Sequence, residues 1–150
     1  MKKPQYLVSA CLAGIPCRYN GTPFPVEKIL HLVESGDAIP FCPEQLGGLP
    51  TPRSQCEICE ISGEKKVLSI EGGDCTEQFI KGAKASLELA EKSGIKKAVL
   101  KSRSPSCGYG EIYDGTFSGS KKEGNGITAE LFINHGIKVF TELTFNKDTD

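Results

Sequence analysis

One stretch limits what this chain can become. Residues 42–53 read CPEQLGGLPTPR, directly after the apolar segment Ala38, Ile39, Pro40 and Phe41. That segment has the length and composition of a short buried strand. The prolines and the glycine pair then forbid the strand to continue and oppose the start of a regular helix. The pattern predicts a constrained turn at a strand end, presenting Cys42 and Glu44. A thiol and a carboxylate set there serve chemistry rather than packing.

The flanking chain alternates strand and helix. Residues 6–10 read as a first strand ending at Cys11, followed by a loop rich in Gly, Pro and Asn-Gly over residues 12–21. A helix is expected from about Pro25, with Val26, Ile29, Leu30 and Val33 on one face and Gly36 as its stop. Residues 38–41 form the second strand, giving a right-handed βαβ unit with residues 6–10. Residues 54–59 fit no regular type, and residues 66–70 suit a short edge strand. Asp74 or Thr76 caps a long helix to about Ser93, whose buried stripe is Phe79, Ile80, Ala83, Leu87 and Ala90. A third strand at residues 97–100 runs into the loop KSRSPSCG at 101–108. A Gly-rich loop over 109–126, a helix over 127–134 and a last strand over 137–140 complete the chain, with a frayed tail from 146 to 150. The expected fold is α/β: a mostly parallel sheet with helices on both faces, a Rossmann-like three-layer arrangement.

A chain of 150 residues suits one domain, 1–150, around one core. Its formal net charge is −1. With no basic block, no nucleic-acid partner is expected, and Lys121-Lys122 reads as a solvated loop. No apolar run is long enough to cross a bilayer, and the amino terminus lacks the apolar core of a signal peptide, so a cytoplasmic location with no membrane partner is expected.

Seven cysteines are many for such a compartment. Reducing conditions and the odd count both argue against a disulfide framework, which leaves metal ligation or redox chemistry for some and plain burial for others. Cys11, Cys42 and Cys107 stand just beyond the ends of three predicted strands. In open α/β sheets those ends share one rim, and ligands bind in the crevice outside it. Thiols far apart in sequence are thus expected to meet, with Cys17 as a possible fourth. Thiolates suit zinc or an iron–sulfur cluster, and three protein ligands leave one metal position open for chemistry. Glu44 and Ser104 lie close in sequence to Cys42 and Cys107. A carboxylate beside an open metal position takes a proton from water, and a serine hydroxyl donates to a polarised substrate atom. Arg53 and Arg103 are expected to balance thiolate charge or to hold loop carbonyls. His31 and His135 fall on helices away from this rim. Cys56 and Cys59 form an isolated CxxC that lacks the setting of a thioredoxin-like motif. Cys75 falls at a helix start, and Asp114 reads as a turn residue.

These residues also resemble a known family. Ser9-Ala10-Cys11-Leu12-Ala13-Gly14 with Cys17-Arg18-Tyr19, CPEQLGGLPTPR at 42–53, Thr76-Glu77-Gln78-Phe79, KSRSPSCG at 101–108 and Tyr113-Asp114-Gly115-Thr116-Phe117 together look like the thiouracil desulfurase family. The resemblance implies a [4Fe-4S] cluster held by Cys11, Cys42 and Cys107 with one iron free. It implies Glu44 and Ser104 as catalytic residues, and non-redox removal of sulfur from a small thiolated molecule such as thiouracil, with water activated by Glu44 as the attacking group. Cys56 and Cys59 fall outside the family's motifs. The alternative reading is a non-catalytic protein that binds zinc or an iron–sulfur centre, or carries sulfur.

Overall fold

The structure is a computed structural model and describes residues 3–146. Strand β1 (Tyr6–Ser9) passes through a 3-10 turn (Ala10–Ala13) to helix α1 (Glu27–Glu34), and β2 (Ala38–Phe41) passes directly into the four-residue helix α2 (Pro43–Leu46). A hairpin of β3 (Cys56–Ile61) and β4 (Glu64–Ser69) precedes the long α3 (Thr76–Ser93). Then come β5 (Lys97–Leu100), a second hairpin of β6 (Glu111–Tyr113) and β7 (Lys121–Glu123), α4 (Ile127–Asn134) and β8 (Lys138–Thr141).

Four strands form a parallel sheet in the order β2-β1-β5-β8. In its register Val8 lies between Pro40 and Val99. Pro40, which has no amide to donate, is tolerated because β2 is an edge strand. Tyr6 and Val8 pack on one face with Ile29 and Leu32 of α1. On the other face Leu7, Ala98 and Leu100 pack with Leu87 and Ala90 of α3 and Phe132 of α4. This is the expected α/β arrangement with both sheet faces covered. The chain runs outward from β1 to β2 and then returns to β5 on the opposite side of β1. The carboxyl ends of β1 and β5 therefore flank a topological switch point, where such sheets open a crevice.

Several local expectations are corrected. The turn after Phe41 does start a helix: Pro43 stands in its first turn, where a missing amide costs nothing and a fixed φ helps. Two glycines let α2 approach α3 backbone to backbone. A Cβ on Gly47 would stand 2.0 Å from the Gln78 carbonyl oxygen, and one on Gly82 would stand 1.9 Å from that of Pro43. Residues 54–59, which had no type, run into β3. Residues 66–70 are not an edge of the main sheet; β4 forms a separate two-stranded sheet with β3, through a turn whose Ser62 and Gly63 both have positive φ, as tight hairpins require. The Gly-rich loop contains the β6–β7 pair. Helix α1 begins at Glu27 rather than Pro25. Ile80, expected in the buried stripe of α3, is 41% exposed, one step round the helix from buried Phe79. Of the tail expected to fray, residues 147–150 lie outside the described residues. Among the described residues no helix is long and apolar enough to cross a membrane.

Candidate functional site

At the carboxyl ends of β1, β2 and β5 the chain encloses a cavity of about 120 Å³. Cys11, Cys17, Cys42 and Cys107 all line it, together with Glu44 and Ser104. Each thiol arrives there for a local reason. The 3-10 turn begins right after β1 and holds Cys11 buried; Gly14 ends it in the left-handed region. Cys42 is the residue before the first turn of α2. The Cys107 loop is docked on the start of α4: the Ile127 amide donates to the Pro105 carbonyl at 2.8 Å, and the Thr128 and Ala129 amides donate to Ser106 at 2.9 and 3.2 Å. A side chain at Gly126 would block this docking, since its Cβ would stand 2.5 Å from the Ser106 carbonyl.

The thiols are poorly solvated, and Cys42 Sγ lies 3.8 Å from the Cys17 carbonyl. Burial pushes the Cys107 thiol up to about 12, against opposing hydrogen bonds from Ser9 and Ser106. The Ser9 hydroxyl lies 3.3 Å from Cys107 Sγ and accepts the Lys101 amide at 2.9 Å. The Cys17 thiol is pushed up to about 11, first by its hydrogen bond with Cys11, while a hydrogen bond with Cys42 works the other way. Cys42 is raised through its hydrogen bond with Cys17 and then by burial. The cavity thus disfavours bare thiolates, and a bound cation would reverse that preference.

Glu44 is held on both oxygens. Arg53 Nε donates to Oε1 at 2.9 Å, and the Ser106 hydroxyl donates to Oε2 at 2.8 Å. Arg53 also donates to the carbonyls of Cys17 at 2.9 Å and Pro50 at 3.1 Å, tying the 42–53 stretch to the loop after β1. The expectation that Arg53 holds loop carbonyls is met. Arg103 does not share that role: it pairs with Glu111 at 2.9 Å, outside the cavity lining. Ser104 accepts the amides of Ser106 and Cys107 at 3.1 and 3.0 Å and lies 2.9 Å from the Ser106 hydroxyl.

The remaining cysteines divide. Cys56 lines the cavity and is raised to about 12 by burial and then by neighbouring Cys75. Cys59, three residues along β3, points to the opposite face and lies 3.5 Å from the Gly115 carbonyl. The two therefore cannot form half of one metal site. Cys75 stands just before α3. Both histidines are exposed and outside the cavity: His31 lies 3.9 Å from Glu27, and His135 Nδ1 lies 3.0 Å from the Leu131 carbonyl at the end of α4. Asp114 accepts the Thr116 amide at 3.0 Å, as a turn residue does.

Sequence reasoning missed several cavity residues: Ser9, Gln55, Lys101, Ser106 and Tyr113. Lys101 Nζ lies 3.3 Å from Glu142 and 4.5 Å from the Phe24 ring centre. Tyr113 is brought in by a long-range contact that no local pattern encodes. The buried Glu57 carboxylate accepts the Gly115 and Phe117 amides at 2.9 and 3.1 Å, fastening the loop after β6 to β3. Ser9, Lys101, Ser106 and Tyr113 all lie within the motifs quoted above, and that membership was their usable signal; Gln55 had none.

Cys11, Cys17, Cys42, Cys56 and Cys107 line this cavity and no imidazole does, a donor set that suits a soft metal. Among the described residues no three His, Cys, Asp or Glu side chains close on one point as a single ion requires. A cubane takes each thiolate on a separate iron, and so fits thiols spread around a cavity better than zinc does.

Comparison with known proteins gives concordant matches. The profile of the 2-thiouracil desulfurase family matches residues 6–144. The chain is 44% identical over 146 residues to the uncharacterized protein YbbK of Bacillus subtilis (strain 168), spanning 93% of this chain and 97% of that one. Among solved structures it is similar to the [4Fe-4S]-dependent thiouracil desulfidase TudS, with a TM-score of 0.85 and 44% identity over 93% of this chain and 91% of that chain.

Proposed function

Since the chain belongs to the 2-thiouracil desulfurase family, we propose that it is an enzyme that exchanges the sulfur of a thiolated pyrimidine for oxygen. Thiocarbonyl and water give carbonyl and hydrogen sulfide, so no electrons are gained or lost. One observation supports this reading above the rest: Cys11, Cys42 and Cys107, drawn from three separate strand ends, share a cavity with Glu44 and Ser104. Those three thiols would hold a [4Fe-4S] cluster, the group named for TudS. Cys17 would remain beside two of them as a hydrogen-bonding neighbour. When bound, the cluster supplies a soft iron site for the substrate's sulfur.

This chain's own residues supply the rest. Glu44, fixed by Arg53 and Ser106, takes a proton from the attacking water. Ser104 donates to a polar atom of the pyrimidine as charge develops there. The buried walls, with Tyr113 and Lys101, orient the ring and limit bulk water. The test is anaerobic reconstitution followed by an iron assay and sulfide release from thiouracil. About four irons per chain and sulfide without added reductant are expected. A zinc-binding or sulfur-carrying protein would instead stay colourless, or keep its function in Glu44→Ala.

A further inference from the structure

We propose that Ser106 is a positioning residue for this reaction: it holds the Glu44 carboxylate in place and fixes the direction in which Ser104 offers its proton. The inference rests on the reading of Glu44 and Ser104 given above.

The argument is one of donors and acceptors. A serine hydroxyl has one proton and two lone pairs. Ser104 Oγ accepts two backbone amides, at 3.1 Å from Ser106 and 3.0 Å from Cys107. Both lone pairs are then used, and only its proton is left to give. The neighbouring oxygen is Ser106 Oγ, 2.9 Å away. Ser106 is 2% exposed and lies 2.8 Å from Glu44 Oε2. An ionised carboxylate only accepts. The other acceptor near the Ser106 proton, Cys107 Sγ, is farther off at 3.7 Å. Ser106 therefore donates to Glu44 and accepts from Ser104, and the chain of hydroxyls runs one way, from Ser104 through Ser106 to Glu44.

Two consequences follow. The carboxylate is clamped from both ends, by Arg53 on Oε1 and by Ser106 on Oε2, so its remaining lone pairs are aimed rather than free to rotate. Ser104 is a donor and not a base. Its O–H donates to Ser106 Oγ until a bound substrate offers a better acceptor, and Ser106 keeps its own bond to Glu44 throughout. Ser106 thus acts through its neighbours rather than by direct attack.

The test is a cycle of Ser106→Ala, Glu44→Gln and the double variant in anaerobically reconstituted protein, followed by single-turnover sulfide release. Ser106→Ala should lower kcat about tenfold to a hundredfold with KM unchanged. Iron content should stay at the wild-type value, and Ser106→Thr should recover part of the rate. In the Glu44→Gln background the same change should cost little more. An unchanged kcat in Ser106→Ala, a full additive loss in the double variant, or a loss of iron in place of rate would each overturn the proposal. If Glu44→Gln turns over like wild type, the functional reading falls along with it. If Glu44→Gln is slow and Ser106→Ala is not, only this inference falls.

Discussion

The seven cysteines fall into two groups, and the contrast between them is instructive. Cys11, Cys17, Cys42 and Cys107 gather at the rim of the parallel sheet, while Cys56, Cys59 and Cys75 ride on the β3–β4 hairpin and the approach to α3, from which Cys56 reaches the cavity and Cys59 does not. Three of the rim thiols, Cys11, Cys42 and Cys107, follow strands whose neighbours fix them in register. The exit from the sheet therefore determines where each sulfur lands. The hairpin thiols follow an antiparallel ladder, in which residues three apart face opposite sides. A close pair in sequence is thus separated in space, and residues nearly a hundred positions apart are brought together. For a chain rich in sulfur, the strand end a thiol occupies says more than its spacing to the next one.

The sharpest way to break this contrast is to exchange thiols. Cys42→Ser and Cys107→Ser should each abolish most iron uptake on anaerobic reconstitution, while Cys59→Ser should load like wild type by iron assay and visible absorption. Equal losses in both groups would erase the distinction. Next in size, Glu44→Gln should keep its iron but slow sulfide release about a hundredfold to ten-thousandfold, the usual reach of a general base. Gly82→Ala asks how firmly the Cys42 turn is held. Its Cβ would collide with the Pro43 carbonyl, so α2 must shift, with a loss of about 1–3 kcal/mol in urea unfolding of the unloaded protein. Gly36→Ala, with no atom within 4 Å but a positive φ, should leave the rim thiols in place and so load iron normally.

The smallest expected effect concerns Glu142, which accepts the amide and hydroxyl of Ser102 at 2.8 and 2.7 Å and so anchors the start of the Cys107 loop. Burial alone raises its carboxyl, but the Ser102 hydrogen bonds and nearby Lys101 outweigh it and leave the group below its ordinary 4.5. A carboxyl lowered by folding stabilises above its unfolded value, and that stability is lost as pH falls through the folded one. Wild type should therefore lose its advantage over Glu142→Gln as the pH drops below about 4.5, near the reference carboxyl value. Urea unfolding across that range checks it, and a gap that stays constant would refute the assignment.

Much of this was legible in the residues. Apolar runs at β1, β2 and β5, each closely followed by a cysteine, were enough to expect a common rim. The helices α3 and α4 followed from periodicity and their glycine or turn boundaries. What stayed hidden was long-range. Nothing near Glu57 announces that its carboxylate will meet the amides of Gly115 and Phe117. The packing of Gly47 and Gly82 against facing carbonyls depends on how α2 and α3 meet. The α2 helix itself was missed because its prolines read as breakers, although Pro43 sits at the one helical position that accepts it. Ser106 was passed over because the sequence shows the neighbour of Cys107 but not its distance to Glu44.

The docking of the Cys107 loop on the first turn of α4 has a consequence for biosynthesis. The Pro105 and Ser106 carbonyls are satisfied by amides of residues 127–129, which leave the ribosome after nearly everything else in the rim. A nascent chain that has already folded β1 and β2 still lacks the buttress that shapes its third thiol. On the reading proposed above, the third thiol therefore takes its place only once the first turn of α4 has formed, later than the synthesis of the cysteines themselves.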